Sequence, residues 1–265
     1  MNLNVPGATL HYETRGTGPV LLLICGGIMD AAGYSALADR LADRFTVVTY
    51  DRRGNSRSPL AGPDEPQRIE THADDAHRLL SVVTDEPAHV FGNSSGALIA
   101  LDLAVRHPGQ VRRVIAHEPP AFELLPDAAH WRTVVEQIRD AYATGGAGAA
   151  MHVFGTSMGM SDEEPQGEPH PDVLEMMGRM EKNMDFFAGY EVPSFSGYTP
   201  DLDALREAPL VLAAGETSGD EPPHRATLAI AERLNVEPVL LPGGHGGFGT
   251  RTDAFAERLG GLLTP

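Results

Sequence analysis

The stretch "HVFGNSSGALIALDL", His89 to Leu103, joins a short apolar run to an amphipathic helical pattern through a segment of glycine and serine. Gly92, Ser94 and Gly96 fit the pattern G-x-S-x-G, and a strand before it and a helix after it are the context in which that pattern carries a mechanism. The serine then occupies a sharp turn that only small neighbours permit, with its hydroxyl raised above the end of the strand. We interpret Ser94 as a nucleophile, with a plain Ser-Gly turn as the alternative. The spacing excludes Ser95 as the nucleophile but places its backbone N–H well to donate to an oxyanion.

Short apolar runs alternate with amphipathic patterns along most of the chain. Strands are predicted at six runs: Pro19 to Cys25, Phe45 to Tyr50, Ala88 to Gly92, Val111 to His117, Pro209 to Gly215 and Val236 to Gly243. Helices are predicted at five others: Tyr34 to Ala42, Ala73 to Val83, Gly96 to Pro108, His224 to Leu234 and Asp253 to Leu263. Residues 2–16 have the pattern of an antiparallel hairpin at one edge. We therefore predict an α/β fold with a doubly wound, mostly parallel sheet.

The alternation stops in one long segment, where no strand pattern appears and Pro, Gly and Met accumulate. We predict one folding unit, with a core of residues 1–120 and 207–265 and a helical cap insertion, 121–206, over the carboxyl edge of the sheet. Seven of the nine methionines fall in the insertion: Met151, Met158, Met160, Met176, Met177, Met180 and Met184. Three of them, Met176, Met180 and Met184, are predicted to share one helix face, as a packed core stripe or as a flexible apolar wall over a ligand. The predicted pocket residues are Ile28, Trp131, Phe154, Met158, Met180, Met184, Phe187 and Phe248.

The composition of the chain excludes several classes of partner and chemistry. The formal net charge is -17, from 20 Lys plus Arg against 37 Asp plus Glu, so the surface field repels nucleic acids and anionic membranes. Cys25 is the single cysteine, which rules out an internal disulfide and a zinc site built on several thiolates, and Lys182, the single lysine, lies outside any glycine-rich loop. No apolar run approaches the ~18 residues of a membrane span, and the start lacks a signal-peptide pattern. We expect a cytoplasmic protein without metal or cofactor, and we leave a homodimer open.

Residues directly after the strands meet at one edge of such a sheet, where ligands bind. Gly26 and Gly27 follow the first internal strand, and a turn there can direct a backbone N–H toward the oxyanion. We assign this donor to Gly27, with Ile28 as the close alternative. His245, in a glycine-rich loop after the last strand, is the candidate general base. His117 also ends a strand and is the second candidate, although a buried structural histidine is the more ordinary interpretation.

With these residues in place, the chain resembles the α/β-hydrolase superfamily over nearly its whole length. "YDRRGNSRS", Tyr50 to Ser58, resembles the D-x-R-G-x-G-x-S loop of that family, with Ser56 where glycine is usual. Most members take the acid of their catalytic triad from G-x-x-D after the penultimate strand. At that place "GETSGD" has Ser218, so the usual acid is missing.

Three carboxylates remain as candidates for the acid: Glu118, Glu216 and Asp220. Glu118 lies in "VIAHEPPAF", directly after the strand that follows the nucleophile helix. A subset of the family that includes the zearalenone-type lactonases is similar in taking its acid from this earlier strand, within an H-E-x-P stretch. This resemblance implies that Glu118 is the acid, with Asp220 as the alternative acid and a structural carboxylate as the alternative interpretation. Pro119 and Pro120 exclude an H-E-x-x-H metal helix at this position.

The resemblance implies a serine hydrolase that cleaves an ester or lactone of an apolar or aromatic small molecule through an acyl-enzyme. Epoxide and haloalkane hydrolysis use an aspartate at the nucleophile position in this family, and Ser94 argues against both. Two alternatives stay open. One is a non-catalytic small-molecule binding protein on the same scaffold, and the other is an acyltransferase, or a thioester or C–C hydrolase, with the same triad.

Overall fold

A single eight-stranded sheet forms the centre of the computed structural model, which describes residues 1–159 and 168–264. In chain order the strands are β1 Asn2–Val5, β2 Ala8–Arg15, β3 Val20–Ile24, β4 Thr46–Tyr50, β5 Ala88–Asn93, β6 Val111–His117, β7 Leu210–Gly215 and β8 Val239–Leu241. Their order in the sheet is β1-β2-β4-β3-β5-β6-β7-β8. The β1–β2 and β2–β4 pairs are antiparallel and all other pairs are parallel, so the predicted edge hairpin and mostly parallel sheet are confirmed.

Helices connect the parallel strands and also form much of the described part of the long segment between β6 and β7. They are α1 Ser35–Leu41, α2 Ile69–Val83, α3 Ser95–Arg106, α4 Ala128–Met158, α5 Pro171–Met177, α6 Met180–Phe186, α7 Val192–Phe195, α8 Leu202–Leu205, α9 Pro222–Leu234, α10 Gly247–Thr250 and α11 Thr252–Leu263. A π-helical segment, Phe187–Glu191, joins α6 to α7. No helix within the two described ranges is both long enough and apolar enough to cross a bilayer.

The sheet is buried on both faces, as a doubly wound fold requires. Helices α2, α3 and α9 pack on one face, and α1 and α11 pack on the other. The central strand β3 shows the consequence, because the side chains of Leu21 to Ile24 are all fully buried. Burying each such side chain stabilises the fold by about 1.5–3 kcal/mol, which explains why these strands are continuous apolar runs rather than alternating ones.

Between β6 and β7 the described residues contain helices and no strand. The long helix α4 is interrupted at Gly146, whose φ of 73° is not helical. One expectation was wrong, because Met176 lies in α5 whereas Met180 and Met184 lie in α6, with the chain breaking at Gly178 between them. The three methionines therefore do not form one helix face. The division at residues 121–206 stays a prediction, and Met160 lies outside the described residues.

Candidate active site

Ser94 occupies the turn between β5 and α3 in a backbone conformation that few residues adopt, with φ 57° and ψ -129°. Both flanking positions must be glycine, because a side chain at either one would clash with backbone atoms nearby. A Cβ on Gly92 would lie 2.3 Å from the carbonyl oxygen of Gly96, and a Cβ on Gly96 would lie 2.2 Å from that of Ile24. Both glycines therefore let the first turn of α3 pack directly against the ends of β3 and β5. The turn has the geometry expected for a serine raised above the sheet.

Strand register brings Glu118 beside Ser94. Asn93 and His117 are paired across β5 and β6, so the residues that follow them leave the sheet side by side. Glu118 also has a positive φ, 49°, which turns the chain sharply as it leaves β6. Its backbone N–H donates to the carbonyl of Ala213 in β7 at 3.1 Å and anchors this turn.

His245 reaches the same carboxylate from the loop after β8. Its Nδ1 lies 2.7 Å from Glu118 Oε2. The other oxygen, Oε1, accepts a hydrogen bond from the Gly215 N–H at 2.8 Å and lies 3.2 Å from His224 Nδ1. The side chain of Glu118 is fully buried, so these partners replace water around its charge. With Nδ1 held by the acid, Nε2 is the nitrogen of His245 that remains for a substrate or a nucleophile.

The environment keeps this carboxylate ionised. Burial by itself raises the pKa of Glu118, but the hydrogen bonds with His245 and with the Gly215 N–H hold that pKa well below its ordinary value. His117 is different: burial lowers its pKa to about 3, and its Nδ1 lies 2.6 Å from Asn93 Oδ1. These contacts fit the interpretation of His117 as a neutral structural histidine rather than a base.

The other carboxylate candidates lie away from the base. Glu216 and Asp220 are both exposed, and in the described part of the chain neither forms a hydrogen bond with His245. Ser218, at the usual position of the acid, is buried with 2% exposure. Of the three candidates, Glu118 is the carboxylate that the structure places against the imidazole.

The predicted oxyanion donors lie close together, but one of them is already engaged. The Gly27 N–H donates to the Ser95 hydroxyl oxygen at 3.0 Å. The Ser95 N–H belongs to the first residue of α3, where the N–H groups lack acceptors within the helix. An anion at this point must either displace the hydroxyl from Gly27 or use the Ile28 N–H, the alternative donor.

A cavity of about 280 Å³ opens beside Ser94 and His245. Its lining is mostly apolar and includes, among others, Ile28, Met29, Met151, Phe154, Met158, Phe187 and Phe248. Of the eight residues predicted to line the pocket, these include five, whereas Trp131, Met180 and Met184 lie elsewhere. Trp131 packs against Phe122 in the core of the helical segment between β6 and β7, and Met180 and Met184 lie in α6 of that segment.

Several residues around this site were not predicted from the sequence. Met151 belongs to the regional excess of methionine, and Met29 directly follows the predicted turn, so both carried a weak signal. His224 follows two prolines at the start of α9 and carried none. In the two described ranges, no three His, Cys, Asp or Glu side chains are grouped closely enough to hold a metal ion.

The chain is similar to several known hydrolases. The family model described as alpha/beta hydrolase fold matches residues 19–210. The chain is 40% identical to the uncharacterized hydrolase YraK of Bacillus subtilis (strain 168), over 98% of this chain and 94% of that protein. It is 28% identical to zearalenone hydrolase of Bionectria ochroleuca, over 95% of this chain and 92% of that one. A thermophilic esterase from Thermogutta terrifontis has a similar structure, with a TM-score of 0.75, 20% identity, and coverage of 99% and 98% of the two chains.

Proposed function

Since the chain is a hydrolase of the α/β-hydrolase fold family, we propose that it is a serine hydrolase that cleaves a carboxylic ester or lactone of an apolar or aromatic small molecule. One observation carries this proposal. The 2.7 Å contact between Glu118 and His245 lies at the edge of the apolar cavity that Ser94 also lines. A buried carboxylate, an imidazole and a serine in this arrangement are the parts that acyl transfer requires.

In the proposed first step, His245 Nε2 takes the proton of the Ser94 hydroxyl as Oγ attacks the carbonyl carbon of the substrate. Glu118 holds Nδ1–H, which keeps the lone pair on Nε2 and stabilises the imidazolium that forms. The negative charge that develops on the carbonyl oxygen is stabilised by the Ser95 N–H and by an N–H of the Gly27–Ile28 turn. The bond to the leaving oxygen then breaks, and His245 returns the proton to that oxygen.

In the second step, water attacks the acyl-enzyme. His245 takes a proton from the water, the bond to Ser94 Oγ breaks, and the proton passes to that oxygen, which restores the free enzyme. The Ser94 hydroxyl and Nε2 must come within about 3 Å in both steps, a contact that in such enzymes often tightens only when substrate binds.

The lining of the cavity supports the proposed substrate class. Aliphatic, sulfur-containing and aromatic side chains surround the serine, and a space of about 280 Å³ suits a small apolar molecule rather than a polymer. The relative named zearalenone hydrolase supports a lactone or aryl ester for this chain as well.

The proposal is tested with p-nitrophenyl butyrate and a fluorophosphonate probe. We expect wild-type protein to release p-nitrophenol and to be labelled at Ser94, and Ser94→Ala to lower kcat at least about 10⁴-fold with an unchanged melting temperature. A panel of lactones then compares ring opening with release of the linear ester. A folded wild-type protein that neither turns over an ester or lactone nor reacts at Ser94 would support the non-catalytic binding alternative instead.

A further inference from the structure

The turn that carries the proposed oxyanion donors has little rigidity of its own. Gly27 has a φ of 54°, and a Cβ placed on it would meet nothing within 4 Å. Glycine is therefore present for its backbone conformation and not because of crowding, and glycine peptides rotate easily. Something outside the turn must hold its peptide planes.

Arg52 holds one of those planes. Its Nη2 donates to the carbonyl oxygen of Gly27 at 2.5 Å. The Gly27 carbonyl and the Ile28 N–H belong to the same planar trans peptide and point in opposite directions. Fixing the carbonyl on Arg52 therefore fixes the direction of the Ile28 N–H.

The same arginine binds the helical segment that covers the site. Arg52 Nη1 donates to Glu191 Oε1 at 2.7 Å, at the end of the π-helical segment Phe187–Glu191, and both side chains are fully buried. Asn55 Nδ2 donates to that oxygen at 2.9 Å. Phe187, four residues earlier, lines the cavity. The arginine therefore connects the cavity wall to the turn beneath it.

Two further contacts join the helical segment to the same turn. Asn183 Nδ2 donates to the Ile28 carbonyl at 2.9 Å, while Asn183 Oδ1 accepts from the Ser56 N–H at 2.8 Å. Arg179 Nε lies 2.7 Å from Asp30 Oδ2. Ser56 is the residue that replaces the usual glycine, and its hydroxyl also bonds to Asn183. Residues 27, 28 and 30 are thus each held, directly or through Arg52, by a different residue of the helical segment.

We infer that Arg52 is a positioning residue for the oxyanion turn, and that its ion pair with Glu191 makes the alignment of the oxyanion donors depend on the seating of the helical segment over the cavity. This inference rests on the proposed function, because it assigns a catalytic use to the Gly27–Ile28 peptide. It predicts that a substrate that packs against Phe187 and its neighbours has a higher kcat, and not only tighter binding, than a substrate that does not.

The decisive variant is the double substitution Arg52→Met with Glu191→Leu. Replacing a buried ion pair by apolar side chains of similar volume is often neutral or stabilising. The variant also removes the donor to the Gly27 carbonyl and the Glu191 acceptor of Asn55 Nδ2, which costs stability, so we expect a folded protein with a melting temperature somewhat below the wild-type value. Since the Gly27 carbonyl loses its donor, we expect kcat for p-nitrophenyl butyrate to fall by about 10-fold to 100-fold, with KM nearly unchanged. A purely structural role of the ion pair would leave kcat of the folded variant intact, whatever its melting temperature.

Arg53→Met with Asp75→Leu is the matched control. It removes the ion pair between the next residue of the loop and α2, with Arg53 Nε 2.6 Å from Asp75 Oδ2. In the described part of the chain, the side-chain hydrogen bonds of Arg53 go to Asp75 and to the Pro6 carbonyl, and none reaches the oxyanion turn. We expect this variant to keep kcat. If the Arg52 double variant does not fold, Arg52→Lys is measured instead, because one ammonium retains the charge but lacks the fork that reaches Glu191 and Gly27 together.

The outcomes separate the two proposals. A folded Arg52 variant with wild-type kcat overturns the inference and leaves the proposed function standing. A control variant that loses as much kcat as the Arg52 variant also overturns it, since the effect then belongs to the loop in general. A wild-type protein without turnover and without labelling of Ser94 removes the proposed function and the inference together.

Discussion

Replacement of Glu118 by glutamine changes the hydrogen bonding of the base without changing the size of the side chain. Glu118 Oε1 accepts from the Gly215 N–H at 2.8 Å, while Oε2 lies 2.7 Å from His245 Nδ1. The Gly215 N–H can only donate, so in Glu118→Gln the amide oxygen stays on that side and the NH₂ group faces His245. An NH₂ donor favours the His245 tautomer with its proton on Nε2, and that tautomer cannot accept the proton of Ser94.

The expected loss is large because, among the described residues, no other carboxylate forms a hydrogen bond with His245. In a serine-histidine-carboxylate triad, the corresponding amide substitution lowers kcat about 10⁴-fold, and at 1.36 kcal/mol for each tenfold this is ~5.4 kcal/mol of transition-state stabilisation. Glu118 is fully buried, so solvent cannot take its place beside the imidazole. KM should change little, since Glu118 is not among the residues that line the cavity.

The assay is steady-state hydrolysis of p-nitrophenyl butyrate at neutral pH, with circular dichroism to check the fold. Asp220→Asn is the matched control, because it makes the same chemical change on an exposed carboxylate without a hydrogen bond to His245. We expect Asp220→Asn to keep a near wild-type kcat. The assignment of Glu118 as the acid is refuted if Glu118→Gln retains more than about a tenth of the wild-type kcat, or if Asp220→Asn loses as much kcat as Glu118→Gln.

Three further predictions concern stability and binding. Gly96→Ala places a Cβ 2.2 Å from the Ile24 carbonyl oxygen, so urea unfolding should show a loss of about 3 kcal/mol; a loss below ~1 kcal/mol would contradict the packing described for the turn. The pKa of Glu118 is lower in the folded protein than its ordinary value of 4.5, so the stability that wild type has over Glu118→Gln is fully present above about pH 4.5 and is lost as the pH falls through the folded pKa; a stability difference that stays constant down to the lowest pH measured would refute this. Phe154→Ala, in the cavity wall, should raise KM for an aromatic ester ~10-fold with little change in kcat, and an unchanged KM would place the substrate elsewhere.

Much of the candidate site could be predicted from the sequence, because the carboxyl ends of parallel strands lie at the same edge of a sheet. Ser94 follows β5, Glu118 follows β6 and His245 follows β8, so locating three strands was enough to expect three side chains near one another. The choice of Glu118 over Asp220 was different in kind. It came from resemblance, and strand periodicity alone left both open.

The residues of the cavity wall could be predicted only in part from the sequence. A helical pattern shows that a residue lies on an apolar face, but not which neighbour that face meets. Trp131 and Met180 therefore looked like pocket residues, whereas the structure packs Trp131 against Phe122 and places Met180 beyond a break in the helix. Met29, which does line the cavity, was overlooked because it lies in the core part of the chain.

By itself, the sequence determined the succession of strands and helices along the chain, the sharp turn at Ser94 and the edge of the sheet where the candidate residues meet, because these depend on local periodicity and on glycines close in the chain. Only the tertiary structure decided the contacts between distant segments: Glu118 with His245 across 127 residues, and Arg52 with Glu191 across 139. Such pairs leave no periodic signal, since a buried charge is stable only where the fold supplies its partner, and that partner is chosen by packing and not by spacing along the chain.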